Sequence, residues 1–576
     1  RSIRLVRQQA DASDKPGEAS INPEDHWRRS VDSWHRGAGQ TFYDRPESVA
    51  DRFDASKGID PWTKGKLQLL PATAEKLDNT STNLALVVAG TELYAMSASI
   101  LTYTADVTPT TPTWTVVTPA ATALSSPTSM TSDGYLVWLC DATATYYTQH
   151  GTATYADYHG TSHPATLVRI AKGRLITAGA GANKHVLYTH SGTAGSATAS
   201  AYYTHLNTDW TWTDVAEGPN AIYFSGYSGD KSAIFKTGIV DTTTALAAPV
   251  VAGELPDGEV AYSIQGYLGY LLIGTNKGVR FATLDANGFI DNVGGLVATT
   301  ATVLCFEPQD RFVWFGWTNY DGTSTGLGRV DLSTFNDTIP AYASDLMVTG
   351  SGAINSVVTF QGLRVFAVAG DGHYAETTDR VASATIDSGY ITYGLTENKI
   401  AVALETQWAA GAGSFLPALS RDDMGFNSLG ATRSTTSSAG GREIVGAGTQ
   451  QAALLEIRYT LSRDATDTTQ GPVLTSFTLR ADPSAQRRAK IQVPLLLHRT
   501  VTTRAGTRRS VDIMVERREI AALAESGQPV VYQEGGDNYT VKVEDYDWLA
   551  RLETGTPANT WHGTLVVSLK TLASSN

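Results

Sequence analysis

Cysteine is nearly missing from this chain: 576 residues contain two, Cys140 and Cys305. A disulfide framework needs more of them at regular spacing. Each lies in an apolar run, Leu136-Val-Trp-Leu-Cys140 and Val303-Leu-Cys305-Phe306, so both are expected as buried free thiols. Charge is sparse too, at 18% of residues, and its balance is wrong for phosphate recognition. A formal net charge of −13 argues against a nucleic-acid partner. No run of about 18 apolar residues occurs, so no membrane insertion is expected. The start, where Arg1, Arg4 and Arg7 are followed by polar residues, lacks a signal-peptide pattern, and synthesis in the cytosol is expected.

What the chain does hold is 42% hydrophobic residues with abundant Thr, Ser, Ala and Gly, a balance that favours short strands and turns. From about Leu67 to Tyr390 short apolar runs alternate with Gly-, Asp-, Asn- and Thr-rich turns, without a convincing helix. Seven units recur about every 45 residues. They begin at Leu84-Ala-Leu-Val-Val, Gly134-Tyr-Leu-Val-Trp-Leu, Leu167-Val-Arg-Ile, Ala221-Ile-Tyr-Phe, Tyr270-Leu-Leu-Ile, Phe312-Val-Trp-Phe and Val357-Val-Thr-Phe. The clearest is Tyr270 to Ala282, two apolar strands around the turn Asn276-Lys277-Gly278. A set of β-sandwiches has similar strand density, but even spacing and nearly uncharged strands favour a seven-bladed β-propeller over 65–390.

The flanks differ in character. Residues 1–64 are charged, poorly periodic and studded with Trp27, Trp34, Phe42, Tyr43, Phe53 and Trp62, which suits an extended arm whose aromatics anchor in a partner or in the following domain. Residues 391–485 offer strands at Ile400–Thr406, Leu454–Leu461 and Val473–Leu479 around a polar connection, read as a β-sandwich. Residues 486–576 offer four strands and one helix, about Val515 to Ser526, closed by Gly527, a small α+β domain. The fold class is therefore all-β and multidomain.

Three segments carry a resemblance. They are Asp25-His-Trp27-Arg-Arg-Ser-Val-Asp-Ser-Trp34-His-Arg-Gly-Ala-Gly-Gln40 with Arg52-Phe53-Asp-Ala-Ser-Lys-Gly-Ile-Asp-Pro-Trp62; Asp387-Ser-Gly-Tyr-Ile-Thr-Tyr-Gly-Leu; and Gly471-Pro-Val-Leu through Arg480-Ala-Asp-Pro483 and the basic link to Ile491-Gln-Val-Pro-Leu. Each resembles minor tail proteins of siphophages that infect actinobacteria. The resemblance implies a structural virion protein of the tail tip or baseplate that docks on distal tail and hub proteins and further minor tail proteins, as a homo-oligomer, with a trimer preferred. The propeller would then face outward toward a host cell-envelope glycan. It brings no catalytic residue and no cofactor.

Chemistry-bearing patterns are weak. Gly322-Thr-Ser324-Thr-Gly326 matches a nucleophile elbow, yet no helix follows. His159 and His163, with His150, His185, His190 and His205, invite a metal, but Gly160 and Pro164 make the segment a loop, expected to be solvated. Leu284 to Asp291 alternates oxygen donors without a closing glutamate and reads as a hairpin turn. No catalytic residue and no metal ligand is assigned. Partner docking is assigned to Trp27, Trp34, Phe42, Phe53, Trp62, Arg487, Arg488, Lys490, Arg508 and Arg509, and glycan contact, more weakly, to Tyr155, Tyr158, Trp210 and Trp212. A glycan hydrolase on the same scaffold would instead need carboxylates clustered at the channel mouth, and a pure glycan-binding module an exposed aromatic groove.

Overall fold

The structure, a computed structural model, describes residues 27–43, 49–238, 246–435, 440–448, 450–483, 490–498, 500–502, 506–510, 512–534, 537–552 and 561–574. Their regular structure is nearly all strand, with one α-helix among the described residues. Two compact units result: 1–396 with 400–482, and 397–399 with 483–576.

In the larger unit, the apolar runs become antiparallel sheets of four strands. Among the described residues five stand as separate four-stranded sheets, and two further sets of four strands share one eight-stranded sheet through their outer strands; the first strands of these sets are Ala85–Ala89, Ser129–Ser132, Ala165–Ala171, Thr211–Glu217, Ala261–Tyr267, Phe306–Gln309 and Ile354–Phe360. Each first strand lies beside that of the next sheet, and the seventh beside the first, so the sheets form a ring around an axis. This is a β-propeller. A sheet pressed between two others buries both faces, and this is why strands such as Glu92–Met96 are buried at every position where a one-sided sheet would alternate.

One pairing closes the ring, and another ties two consecutive sheets at their outer edges. The outermost strand of the seventh sheet is Pro71–Asp78, which precedes every other strand of the ring and pairs with Gly372–Arg380 in the register Ala375↔Ala74. The outermost strands of the first and second sheets, Thr115–Pro119 and Thr154–Asp157, pair with each other in parallel. The backbones approach closely near the axis. A methyl placed on Gly266 would lie 1.9 Å from the carbonyl oxygen of Glu217 in the neighbouring first strand.

The remainder of this unit is a sandwich of two sheets. One runs Trp27–Val31, Leu474–Pro483, Lys399–Trp408, Gly441–Gly446; the other Ala55–Lys57, Ser383–Ile391, Leu455–Ser462, Ser414–Arg421, Phe426–Ser428. Leu455–Ser462 alternates buried and half-buried residues at every step, as a strand facing a core on one side must. From residue 27 onward, the expected arm is thus a contributor to both sheets of the sandwich, pairing Trp27↔Ala481 in one and Ala55↔Asp387 in the other. Residues 1–26 lie outside the described residues. The propeller is an insertion between two parts of the sandwich.

The smaller unit is an antiparallel sheet in the order Lys490–Leu497, Trp561–Ser574, Asp537–Leu552, Val530–Glu534, covered on one face by the helix Ile513–Ser526. Asp512 caps the helix start by accepting from the backbone N–H groups of Met514 and Val515, and Gly527, left-handed at φ 63°, ends it. Ile520, Leu523 and Ala524 pack toward Val541, Val543, Leu565, Val567 and Leu569. The expected helix and four strands all occur here.

Gly266→Ala is expected to force adjoining first strands apart and to lower stability by about 1–3 kcal/mol. Gly238→Ala, where a methyl meets nothing within 4 Å, is the control. A thermal melt that shifts equally for both would show that the ring does not depend on this close approach.

Candidate functional site

The first strands of all seven sheets enclose a cavity of about 590 Å3, the central channel. Main-chain and polar side-chain bonds tie its wall from sheet to sheet. Arg169 Nε donates to Asp214 Oδ1 at 2.8 Å, and its Nη1 donates to Ser129 Oγ at 2.8 Å. The second oxygen of Asp214 accepts from the backbone N–H of Ile264 at 3.0 Å, so one carboxylate and one guanidinium join four neighbouring sheets. Ser263 Oγ donates to the carbonyl of Val303, and Ser356 bridges the seventh sheet to the first through Leu86.

Three carboxylates line the channel: Asp214, Glu217 and Glu307. Asp214 is committed to the lattice just described. Glu217 accepts from the backbone N–H of Lys172 at 2.6 Å and stands 3.9 Å from its ammonium. Glu307 accepts from the backbone N–H of Thr359 at 2.8 Å, and burial pushes its carboxyl up, against the opposing pull of Thr359 and Arg364. All three therefore act as ties between strands. Among the described residues no group of three or more His, Cys, Asp or Glu side chains is arranged to hold a metal ion.

The aromatics assigned to glycan contact lie elsewhere and inward. Tyr155 is 3% exposed, Tyr158 8%, Trp210 6% and Trp212 2%, too little for any of them to stack on a sugar ring. Tyr155 packs edge-on against Tyr146, and Trp210 and Trp212 sit among His205, Phe224 and Phe235 in the core between the third and fourth sheets. Aromatic residues in Thr- and Ser-rich segments gave no sequence signal that separates a loop platform from a core between sheets.

The arm aromatics assigned to docking are likewise used within the chain. Trp34, Phe53 and Trp62 are buried in the sandwich core. Trp62 meets Phe312 of the sixth sheet edge-on at 5.4 Å. Half-buried Trp27 and Phe42 pack on Tyr393 and Tyr390. Around them Ala38 donates its N–H to the carbonyl of Tyr342, Asn336 Nδ2 donates to the carbonyl of Arg36, and Tyr320 Oη donates to the carbonyl of Ser56. These groups seat the sandwich on the sixth sheet of the propeller. Their anchors are internal, which corrects the docking role given to them.

Of the basic candidates, Lys490 and Arg508 are exposed, with Lys490 Nζ 3.9 Å from Glu544. Arg509 lies in the strand Arg508–Ser510, and Arg487 and Arg488 lie outside the described residues. Ser324 opens a strand and is hydrogen-bonded with Asp321 and Lys57, so the elbow-like pentapeptide runs from a bend at 322–323 into a strand, with no helix after it. Asp285 accepts from the N–H groups of Asn287 and Phe289, the expected hairpin turn. The histidines at 159 and 163 break the expectation of a solvated loop: His159 is buried, and His190 joins them.

A second electrostatic centre lies in the sandwich. Arg458 makes a two-pronged ion pair with Asp387, at 2.6 and 2.7 Å, while Tyr390 Oη donates to Asp423. Glu456, beside this pair, is pushed up to about 7 by burial and by the charges of Asp387 and Asp54.

No protein-family model and no curated protein matches the chain. Similar solved structures include the WD40 β-propeller domain of Doa1, 12% identical over 53% of this chain and 95% of that one, TM-score 0.37. BamB from Moraxella catarrhalis is 10% identical over 54% and 96%, TM-score 0.32. An exo-β-1,3-galactanase from Phanerochaete chrysosporium is 8% identical over 72% and 100%, TM-score 0.28. At such identities and scores, what these proteins do carries no weight for this chain.

Two outcomes are expected. Asp214→Ala strands Arg169 and the Ile264 N–H and should cost about 2–4 kcal/mol, whereas Glu217→Ala, at the wet end of the channel, should cost under about 1 kcal/mol; chemical denaturation distinguishes them. Glu456 has a folded value above its unfolded one, so the folded state binds the extra proton between about pH 4.5 and 7, and stability falls as pH rises through that window. Glu456→Gln should remove that decline, roughly 1–3 kcal/mol, and a melting-temperature profile from pH 5 to 8 that is the same in both proteins would refute the assignment.

Proposed function

We propose that this chain is a structural minor tail protein of a tailed phage, placed in the tail tip or baseplate, with a seven-bladed propeller as its displayed body. One observation supports the reading above others. The segments that resemble actinobacterial siphophage tail proteins, around 25–62, 387–395 and 471–497, are far apart in sequence, the first from the second by more than three hundred residues, yet strands at 27–31, 55–57, 383–391 and 474–483 belong to one sandwich. Segments that resemble a single family by chance have no reason to meet in one folded module. The resemblance then follows the sandwich that carries the propeller, while the propeller sheets are free to vary.

On this reading the sandwich and the smaller unit each offer attachment surfaces, where distal tail, hub and further minor tail proteins would be contacted, and a trimer is the preferred oligomer. Docking would fall to surfaces that the chain leaves exposed, Arg508 and Lys490 among them, because the arm aromatics are engaged internally. The engagement of the channel carboxylates in strand-to-strand ties, and the burial of the four aromatics, favour a scaffold over a glycan hydrolase or a sugar-stacking module. Attachment to the host surface would then rest on the loops of the propeller.

The test is composition and cryo-electron microscopy of gradient-purified particles of the phage encoding the chain, with the recombinant full-length chain assayed on host cell-wall polysaccharide. Density for the propeller at the tail tip and no saccharide release are expected. Absence of the chain from particles, or release of saccharide, would overturn the proposal.

A further inference from the structure

The crossover from the second sheet to the third, residues 158–164, is held by a cluster that neither the channel nor the sandwich uses. His159 Nε2 and His190 Nδ1 share a hydrogen bond at 2.8 Å, His190 Nε2 and Thr177 Oγ1 one at 2.9 Å, and Thr177 Oγ1 and His163 Nε2 one at 3.0 Å. The three ring centroids are 4.9, 5.1 and 5.3 Å apart. His159 and His163 come from the crossover, Thr177 and His190 from adjacent strands of the third sheet. The same crossover is fastened to that sheet by the carbonyl of Tyr158, which accepts from the N–H groups of Gly195 and Ala197.

The chain of three hydrogen bonds has a definite proton capacity. With all rings neutral, each link has one donor and one acceptor in either direction, because Thr177 donates to one ring and accepts from the other. One added proton still leaves a consistent chain. A second is placed without opposing donors only when Thr177 Oγ1 accepts from both His190 and His163, its own proton turned out of the chain, and it brings two cations within about 5 Å of each other; a third sets the N–H of His159 against that of His190.

The titratable groups facing the rings are Tyr158, 5.1 Å from His159, and Tyr188, 4.7 Å from His163; Tyr147 stands behind Tyr158, and Cys140 and Trp138 form the apolar backing. Among the described residues no carboxylate offsets the other influences on these rings: they are pulled down by burial and by one another, His159 to about 4 and His190 to about 3. His163 is lowered by burial alone. His159 Nδ1 is buried with no hydrogen-bond partner, a group that gains water if the crossover lifts.

We propose that His159, His163 and His190, joined through Thr177, form an acid-operated latch that seats the 158–164 crossover on the third sheet at neutral pH and releases it when the rings take up protons. Each ring has a folded value below its unfolded value near 6.5, so the closed state binds fewer protons than the open one, and closure weakens as pH falls from there. With up to three protons taken up on opening, the response is steeper than that of a lone histidine. Release separates the outer edges of the second and third sheets while the ring of first strands stays intact. The latch is independent of the tail-protein reading.

Hydrogen exchange on the full-length chain, read at the Tyr158, Gly195 and Ala197 amides and corrected for intrinsic rate, tests it. From pH 7 to pH 5 their protection should fall at least about a hundredfold relative to amides of 270–284 in the fifth sheet. The double variant His159→Gln with His190→Gln should flatten that dependence. Unchanged protection in the natural chain, or the same pH dependence in the double variant, overturns the latch. If the variant fails to fold, titration of 13C-labelled histidine in the natural chain decides, since three resonances with ordinary values near 6.5 would refute it. Protection gained with Zn2+ at pH 7 and lost with EDTA would make the cluster a metal site and also overturn the proposal.

Discussion

Residues 27–78 supply three strands whose partners lie some three to four and a half hundred residues later in sequence. Trp27–Val31 pairs with Leu474–Pro483, Ala55–Lys57 with Ser383–Ile391, and Pro71–Asp78 with Gly372–Arg380. Without them one sheet of the sandwich, the other sheet, and the closing sheet of the propeller would each present an unpaired edge, which is costly and invites association. The rest of the larger unit depends on these pairings. Loop-closure cost grows only slowly with loop length, so they are affordable at equilibrium, but contacts this distant make folding slow.

The same arrangement explains how the propeller is held. The chain enters it through Pro71–Asp78 and leaves it through the paired strand Gly372–Arg380, so entry and exit are neighbours in one sheet. The sandwich needs only to grip that region. It does so through the sixth sheet, where Tyr342, Asn336, Tyr320 and Phe312 meet the backbone or aromatics of residues 36–62. Within this unit the described contacts fix the sandwich on the sixth sheet through both backbone and side-chain groups. Polar groups inside the channel serve closure as well: Arg169, Asp214 and Ser129 tie four sheets with charge-assisted bonds in a place where solvent competes weakly.

Some expectations met the structure well and others did not, for separable reasons. The seven apolar units each became the strand pair they suggested, and Tyr270 to Ala282 became two paired strands around the turn at Asn276-Lys277-Gly278. The helix ending at Gly527 lies within two residues of its expected start. These depend on neighbours a few residues away. Trp34, Phe53 and Trp62 were misjudged because an aromatic in an aperiodic segment fits a strap or a core equally until its partners are known. Tyr155, Tyr158, Trp210 and Trp212 failed likewise, since a propeller packs large rings between sheets as readily as a sugar-binding loop exposes them.

The sequence by itself determined what short-range physics can carry: strand runs, turns, the helix with its cap, the absence of a disulfide framework, and a repeat of about 45 residues that suits blades. Only the tertiary structure decided that the first described residues are sandwich strands, that Asp214 and Arg169 face one channel, and that His190 of the third sheet meets His159 and His163 of the crossover. Pairing register across hundreds of residues, and the sharing of one core by segments far apart, depend on the joint burial of many side chains, a property no local window of sequence contains.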